Sequence, residues 1–544
     1  MEETAPAPRS GFSIWRSVPW ILILLTMGGI AYFQVTAIDD DFAKANLISA
    51  LLTTLTWMLL VAGLYLGNFP RSIWKVVFWV PVLSLVTLVA LFRFDGLDGE
   101  LVPQLTPRWA PEVKLPEIAK ETDPIDTAFE LRPTDFPQYL GPNRNGVFVG
   151  TDLRFDWSKN APEIAWKQPI GKGWSGFAVQ GDIAVTMEQR DETELVSAYS
   201  VVDGSLIWTY EIQAFHTNVA GGTGPRCTPT VWNNKVYASS AVSEFVCLDF
   251  LTGEKIWSQE LLEMSSISQT DFESGVSWGR AGSPLIVADN VLIPFGGTSD
   301  SANLIAFNAE TGEEAWRAGK GQVSYSSPTL YDVKGEEQIL LFAEAQLVGY
   351  APEDGQVLWS FDWPAHSNAD PAVSQPVQVA PDQFFISKGY GTGSKLIQLT
   401  QTDSAWSVSE IWKNPRVLRT KFTNCVYFED HVYGLSDGIL ECVHVGDGKR
   451  VWKKGRYRHG QLLLVDGHLL ISAESGELVV VKATPESFQE LSKISVIGDV
   501  TWNPLTLSGN RVLMRNGSEA ACVLLPTIDS SGDSLPQGEG DAGE

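Results

Sequence analysis

The chain of 544 residues carries 65 Asp and Glu against 39 Lys and Arg, a formal charge of −26. So acidic a balance offers no basic stripe for phosphate, and nucleic acid is excluded as the expected partner. The five Cys stand apart, with no C-x-x-C and no adjacent pair, so neither a disulfide framework nor a thiolate metal site is expected.

A short tail (1–17) with Arg9 and Arg16 precedes three uncharged stretches, 18–38, 47–67 and 76–92. About 20 apolar residues cross the hydrocarbon core, so each stretch reads as a transmembrane helix, and Pro81 is tolerated there. Trp15, Trp20, Trp74 and Trp79 stand at or near the ends, where rings anchor in the interface. A cleaved signal peptide is the alternative for the first stretch, but no small-residue cleavage site follows it. Arg9, Arg16, Arg71 and Lys75 mark one side of the membrane, and Asp39-Asp40-Asp41 occupies the first loop on the other. Lys44 is the one basic residue of that loop, and Arg93 just after the third stretch is a small vote against this order. The positive-inside rule puts the tail in the cytoplasm and everything after 92 on the periplasmic side. The expectation is a multi-pass protein of the inner (plasma) membrane.

Residues 93–134 contain Pro103, Pro107, Pro111, Pro116, Pro124 and Pro133 without periodicity, and read as a spacer. A repeat fills 135–526. Asp203-Gly204, Thr252-Gly253, Thr311-Gly312, Asp354-Gly355 and Asp447-Gly448 are each followed, four residues after the Gly, by Trp208, Trp257, Trp316, Trp359 and Trp452. Gly accepts the positive φ of a tight hairpin turn, so each unit reads as a β-hairpin. Trp412 ends a degenerate copy, with Val408 where Gly would stand. Recurrence at about 40–60 residues is the mark of a β-propeller, in which the Trp would wedge between blades.

A second signal is a small or polar residue before Pro at Thr228-Pro229, Ser283-Pro284, Ser327-Pro328, Asp370-Pro371 and Asn503-Pro504. Pro is tolerated at the first residue of a strand, so these mark the innermost strands. Two leftovers, the segment around Trp166 and the strands of 500–525, complete one blade shared by both ends. The count is then eight. The tail 527–544 has five acidic and no basic residues and reads as disordered.

This hairpin consensus resembles the repeat of the pyrroloquinoline quinone (PQQ)-type propellers, which include PQQ-dependent dehydrogenases and BamB-like scaffold proteins. The segment Asp135-Phe136-Pro137-Gln138-Tyr139-Leu140-Gly141-Pro142-Asn143-Arg144-Asn145-Gly146 resembles the W-P-x-F-R-G-P-x-R-x-G leader of membrane-anchored PQQ-like repeat proteins of planctomycete type. The resemblance covers about residues 135–525. It implies an all-β, eight-bladed propeller of the quinoprotein alcohol dehydrogenase type, preceded by three transmembrane helices.

Resemblance to the dehydrogenases would bring an adjacent Cys pair over the cofactor, a Trp beneath it, and Ca²⁺ held by Glu, Asn and Asp near a catalytic Asp. The Cys pair is absent, as is the haem signature C-x-x-C-H. Trp174, Trp278 and Trp502 precede inner strands and offer a floor for a planar ligand, although such rings commonly just pack a propeller face. The six His lack metal-ligand spacing, and no G-x-S-x-G elbow occurs. Gly389–Lys395 is Gly-rich but lacks the Walker spacing and leads into a strand. No catalytic residue, metal or cofactor is therefore expected, with PQQ plus Ca²⁺ as the alternative.

Polar residues at the inner-strand starts are expected to converge on one channel mouth: Ser175, Arg226, Arg280, Ser326, Asn368, Asp370, Lys421, Asn424, Arg458, His459 and Asn503. Convergent polar groups in a concavity are a candidate ligand site. Arg226 and Arg280 occupy similar places in consecutive blades and would form a basic pair able to grip a carboxylate. The functional reading is a membrane-anchored scaffold that binds a protein or small ligand at the propeller face. The alternative is a quinoprotein dehydrogenase oxidising alcohols or sugars.

Overall fold

The computed structural model describes residues 17–37, 40–111, 114–117, 131–402 and 405–528. The expectations for residues 1–16 and for the acidic tail from 529 onward lie outside the described residues. The chain divides into two compact units, 1–112 and 113–544.

In the first unit, helices Val18–Thr36, Phe42–Leu66 and Arg71–Leu91 are each long and apolar enough to cross a membrane. Their starts follow local chemistry. Pro19 sits in the first turn, where its missing N–H costs nothing, and Asp41 caps the second helix by accepting from Ala43 N–H at 2.9 Å. Polar side chains inside the helices are paired: Gln34 Nε2 donates to Asn46 Oδ1 and Ser49 Oγ, both at 3.0 Å. Residues 93–107, read from sequence as spacer, instead pair as a hairpin, Phe92–Leu97 with Pro103–Pro107. Pro103 and Pro107 stand at the strand ends, where no ladder hydrogen bond is lost.

The second unit is the eight-bladed β-propeller. Blade 1 runs from Ala178–Gln180 outward to Leu206–Ile212, and blade 2 from Thr230–Trp232 to Lys255–Glu260. Blades 3 to 6 repeat this with inner strands Leu285–Val287, Thr329–Val333, Val377–Ala380 and Cys425–Phe428. Blade 7 begins at Gln461–Val465, and Val147–Phe148 pairs in parallel with it as a fifth strand. Blade 8 joins both ends of the unit: Thr506–Ser508, Arg511–Arg515 and Glu519–Leu524 are completed by Glu163–Pro169. Four of the five quoted X-Pro pairs lead into inner strands, those of blades 2, 3, 4 and 8, and the fifth does not lead into that of blade 5. There the strand begins at Val377, after Gln375-Pro376, and Asp370-Pro371 lies in the preceding connection, which Trp363 anchors by packing into the core.

The Trp repeat is a clasp between consecutive blades. At four junctions the ring lies over the turn Gly of the next blade, and its indole N–H reaches a carbonyl beside that turn. Trp257 Nε1 donates to Ala309 O at 3.1 Å, and a Cβ on Gly312 would stand 2.6 Å from the Trp257 ring. Trp208 over Gly253 and Trp412 over Gly448 repeat the geometry, with Nε1 bonds of 3.0 and 2.7 Å to Phe250 O and Val445 O. Trp166 over Gly204 carries the clasp from blade 8 to blade 1. The Gly is thus required twice, for its positive φ (+74° at Gly312) and for the ring above it.

Trp316 covers Gly355 with no indole partner among the described residues, and Trp359 turns its N–H to Gln338 Oε1 at 2.7 Å because blade 5 has no Asp-Gly turn. In every blade but the seventh, the Trp opposes a small or apolar residue of the third strand. Cys247, Cys442 and Cys522 hold this position against Trp257, Trp452 and Trp166, and all five Cys are free and buried.

Candidate functional site

Around the channel, the starts of the inner strands are tied into a closed girdle with a bond at every blade junction. Gly176 N–H donates to Thr228 Oγ1 (3.0 Å), Thr228 N–H to Ser283 Oγ (3.1 Å), and Ser283 N–H to Ser327 Oγ (2.9 Å). Gln375 continues the ring, with Nε2 donating to Ser327 O (3.2 Å) and its N–H to Asn424 Oδ1 (2.9 Å). Gln461 Nε2 donates to both Phe422 O (3.0 Å) and Trp502 O (2.9 Å), and Asn503 Nδ2 closes on Ser175 O at 2.8 Å. This explains the X-Pro signal. The hydroxyl of X satisfies the amide of its predecessor, and the following Pro has no N–H left to satisfy.

The predicted site residues divide accordingly. Ser175, Asn424 and Asn503 are buried members of the girdle or its flank, and Ser326 Oγ donates to Ser327 O at 3.4 Å. Asn424 also donates to Tyr139 OH at 2.6 Å, below the girdle. Arg226 and Arg280 are held by different carbonyl sets. Arg226 donates to Gly221 O (2.5 Å) and Gly224 O (3.1 Å), whereas Arg280 donates to Val242 O (3.0 Å) and Gly296 O (3.4 Å). Arg280 also stacks on Phe272 at 4.5 Å, and burial pulls its guanidinium down to about 9. Each Arg of the expected carboxylate-gripping pair thus holds its own loops, with Arg280 Nη1 left without a partner among the described residues. Asn368 bonds Ser277 N–H (2.9 Å) and Ser274 O (2.6 Å), and Asp370 pairs with the buried Lys388 at 2.7 Å. Lys421 is buried, His459 N–H donates to Glu474 Oε2 at 3.0 Å, and Arg458 stands 3.7 Å from Glu474 Oε1.

What does converge at this upper mouth is aromatic. Trp174 and Trp502 lie 4.8 Å apart, Phe422 is 5.0 Å from Trp502, and His459 is 5.2 Å from Phe422. Trp278 packs on Tyr325 at 5.2 Å. Between Trp174 and Trp278 runs a small hairpin, Thr217–Asn218 with Gly222–Thr223, pinned where Trp174 Nε1 donates to Gly221 O at 2.7 Å. Side chains at Gly221 or Gly222 would collide with Trp278 and Trp174, so the slot between the two Trp is filled by backbone.

Beneath the hairpin lies a titratable pair that the sequence reading did not single out. Glu194 is fully buried and accepts Ala241 N–H at 3.0 Å. Burial pushes its carboxyl up to about 7, against the lowering pull of that amide and of Arg226. Burial and the neighbouring Arg226 charge push His216 down to about 4. Nothing in the sequence pattern marks them, since both lie outside the repeat's fixed positions.

Residues 156–298 and 192–454 match the family described as outer membrane protein assembly factor BamB. The chain belongs to that family. Over 164 residues it is 30% identical to quinohemoprotein alcohol dehydrogenase ADH-IIG of Pseudomonas putida, covering 28% of this chain and 21% of that protein. Over 179 residues it is 25% identical to BamB of Shewanella oneidensis, covering 32% of this chain and 41% of that one. The chain thus spans well under half the length of these curated relatives. The solved quinohemoprotein alcohol dehydrogenase of Comamonas testosteroni superposes with a TM-score of 0.54 at 12% identity, over 75% of this chain and 82% of that one. That likeness shows the fold.

The quinohemoprotein alcohol dehydrogenases among its relatives make Ca²⁺ with PQQ the group to test against these residues. Among the described residues no cluster of three or more His, Cys, Asp or Glu is placed to hold a metal ion. The aromatic slot that would floor a planar ring is filled by Gly221 and Gly222. The residues present do not fit the group.

Proposed function

We propose that the protein is a membrane-anchored scaffold whose propeller lies on the extracytoplasmic side and docks a partner at the upper mouth. The observation that supports this reading is the aromatic rim around a mouth where Ser175, Arg226, Asn368 and Asp370 are already engaged in holding the fold. A rim of Trp, Phe and Tyr gives contact area at low entropic cost, which suits a binding surface. Val219, at the tip of the hairpin between Trp174 and Trp278, is 68% exposed and stands where a partner would first touch. Sidedness rests on Arg9, Arg16, Arg71 and Lys75.

A photo-crosslinking residue at Val219 should trap a discrete protein in intact cells, while one at Lys255, on an outer strand, should not. Equal labelling from both positions, or none from Val219, would remove the docking role. The dehydrogenase reading draws on the quinohemoprotein relatives. Substrate-dependent dye reduction after adding PQQ and Ca²⁺ to the purified protein would establish it in place of the scaffold.

A further inference from the structure

The connections that lead from each outer strand to the next inner strand lie at the upper mouth, and the two sides of the mouth differ in them. Those entering blades 2, 3 and 5 have 17, 24 and 14 residues and are tied to one another. Asn218 Nδ2 donates to Ser277 O at 3.2 Å, Ser277 N–H to Asn368 Oδ1 at 2.9 Å, and Asn368 Nδ2 to Ser274 O at 2.6 Å. Those entering blades 6, 7, 8 and 1 have only ten, four, ten and eight residues. One side of the mouth is roofed by long segments and the other is left low.

The low side carries the cations. Its four connections hold Lys172, Arg416, Arg419, Lys421 and Arg458 against Asp499, whereas the four entering blades 2 to 5 hold three cations against four carboxylates. Arg419 pairs with the buried Asp437 at 2.6 Å, Arg458 stands 3.7 Å from the buried Glu474, and Arg450 Nη2 donates to Arg416 O at 2.6 Å. Positive charge stays in excess: burial lowers the Lys453 ammonium, and repulsion from Arg419 and Arg450 adds to this against the pull of Glu441 and Asp437. Leu418 and Arg458 have left-handed φ of +41° and +52°, which such residues adopt only where their surroundings impose it. At Leu418 the buried Glu441 does so, accepting its N–H at 2.8 Å. Each of the four connections also supplies one ring. His459, Phe422, Trp502 and Trp174 form a row with successive centroids 5.2, 5.0 and 4.8 Å apart, and all but His459 are half-buried.

We propose that the partner enters by this low sector and presents an acidic polypeptide segment, its carboxylates gripped by Arg416, Arg458 and their neighbours and its apolar side chains laid on the aromatic row. The proposal rests on the docking reading above and gives the partner its chemistry. Arg grips a carboxylate bidentately, and the rings offer large apolar area beside it. The chain's net charge of −26 repels such a segment elsewhere, so approach is confined to the sector that attracts it. A phospholipid surface would use the cations and leave the aromatic row uncovered.

The test uses the full-length protein in phosphatidylcholine nanodiscs and labelled octapeptides, acetylated and amidated so that only side chains carry charge. Phe alternates with Glu, Gln or Lys in three of them, and Ala with Glu in a fourth. In fluorescence anisotropy at low salt the Glu–Phe peptide should bind about tenfold or more tighter than the Gln–Phe and Glu–Ala peptides. The Lys–Phe peptide should not bind, and the Glu–Phe affinity should fall as salt rises. Arg416→Gln with Arg458→Asn should weaken binding about tenfold, because both Arg are exposed, and Asn accepts the left-handed backbone at 458. Arg416→Gln alone removes no side-chain bond among the described residues, and should weaken it about threefold with unchanged thermal unfolding. Lys449→Gln, at the opposite end of blade 6 and 80% exposed in its side chain, should change nothing. Equal binding of the Glu–Phe and Gln–Phe peptides, undiminished binding by either Arg variant, or an equal loss with Lys449→Gln would overturn the proposal. Displacement of the Glu–Phe peptide by phosphatidylglycerol vesicles would assign the cations to a lipid surface and overturn it too. Trapping at Val219 without peptide binding would overturn this proposal alone, and peptide binding without trapping would overturn the docking role alone.

Discussion

Blades 2 and 3 and blades 7 and 8 meet the same need, a sealed junction between twisted sheets, by different means. At the first junction Trp257 covers Gly312 and bonds Ala309 O, a device written into the repeat and used again along the chain. At the second, blade 7 has no repeat Trp. The segment before the first blade supplies the seal: Trp157 N–H donates to Ser492 Oγ at 3.0 Å, Phe155 stacks on His468 at 4.2 Å, and Leu153, Phe155 and Trp157 join Val496 and Ile497 in one apolar cluster. A periodic device can be read from one sequence, because each copy confirms the others. A device used once cannot, because nothing in Leu153–Trp157 announces that its partners lie more than 300 residues away.

The largest effect is expected at ring closure, where the two kinds of junction meet. Deleting residues 500–525 from the soluble domain 113–544 removes three strands of blade 8 and leaves Glu163–Pro169 without its partner Glu519–Leu524. Exposed sheet edges invite association. The truncated domain should form soluble aggregates on gel filtration and lose cooperative unfolding. A monomer with a sharp transition would show that sealing by 153–157 suffices without blade 8.

The clasp itself comes next. Trp257→Ala opens a buried hole between blades 2 and 3 and should cost about 3–5 kcal/mol in urea unfolding of the same domain. The Gly side can be separated into its two parts. Gly509, at φ +59° with nothing within 4 Å of the point a Cβ would occupy, reports the backbone penalty alone, so Gly509→Ala should cost about 1–2 kcal/mol. Gly312→Ala adds a collision with the Trp257 ring and should cost roughly 1–3 kcal/mol more. Equal losses at the two Gly would mean that the ring yields and the clasp is loose.

This contrast also sets what was legible in the sequence. The blade count, the shared eighth blade and the Trp wedge followed from spacing, since turn chemistry and apolar alternation are local. The channel was not. Hydroxyls and amides before Pro look like a convergent ligand site in one dimension, yet Thr228, Ser283 and Ser327 each spend themselves on the adjacent blade. Asn368 and Asp370 were displaced because the connection into blade 5 is longer than the motif implied. Arg144 stood in the quoted leader, but that it crosses to Ser283 and Pro284 is a tertiary fact that no spacing encodes.

The smallest expected effect concerns a polar clasp beside the Trp one, at the junction of blades 1 and 2. Glu194 accepts the Ala241 amide across that junction, and its carboxyl holds a proton up to about pH 7 in the fold. In the unfolded chain a Glu releases its proton near 4.5, so the folded state binds more protons between those values. Glu194 therefore contributes stability that is complete below about 4.5 and lost as pH rises through 7. His216, neutral in the fold down to about 4 against 6.5 when unfolded, works the opposite way. Its contribution is present above 6.5 and lost as pH falls toward 4. The two groups, each influenced by Arg226, offset each other between about 4.5 and 6.5 in the wild type. Glu194→Gln cannot titrate and leaves the His216 slope uncovered. Relative to wild type, the variant should gain about 1–3 kcal/mol of stability on going from pH 4.5 to 7 in denaturant titrations. Parallel stability curves for the two proteins would show that Glu194 is ionised in the fold, and the junction would then be held by a charge paired with Arg226.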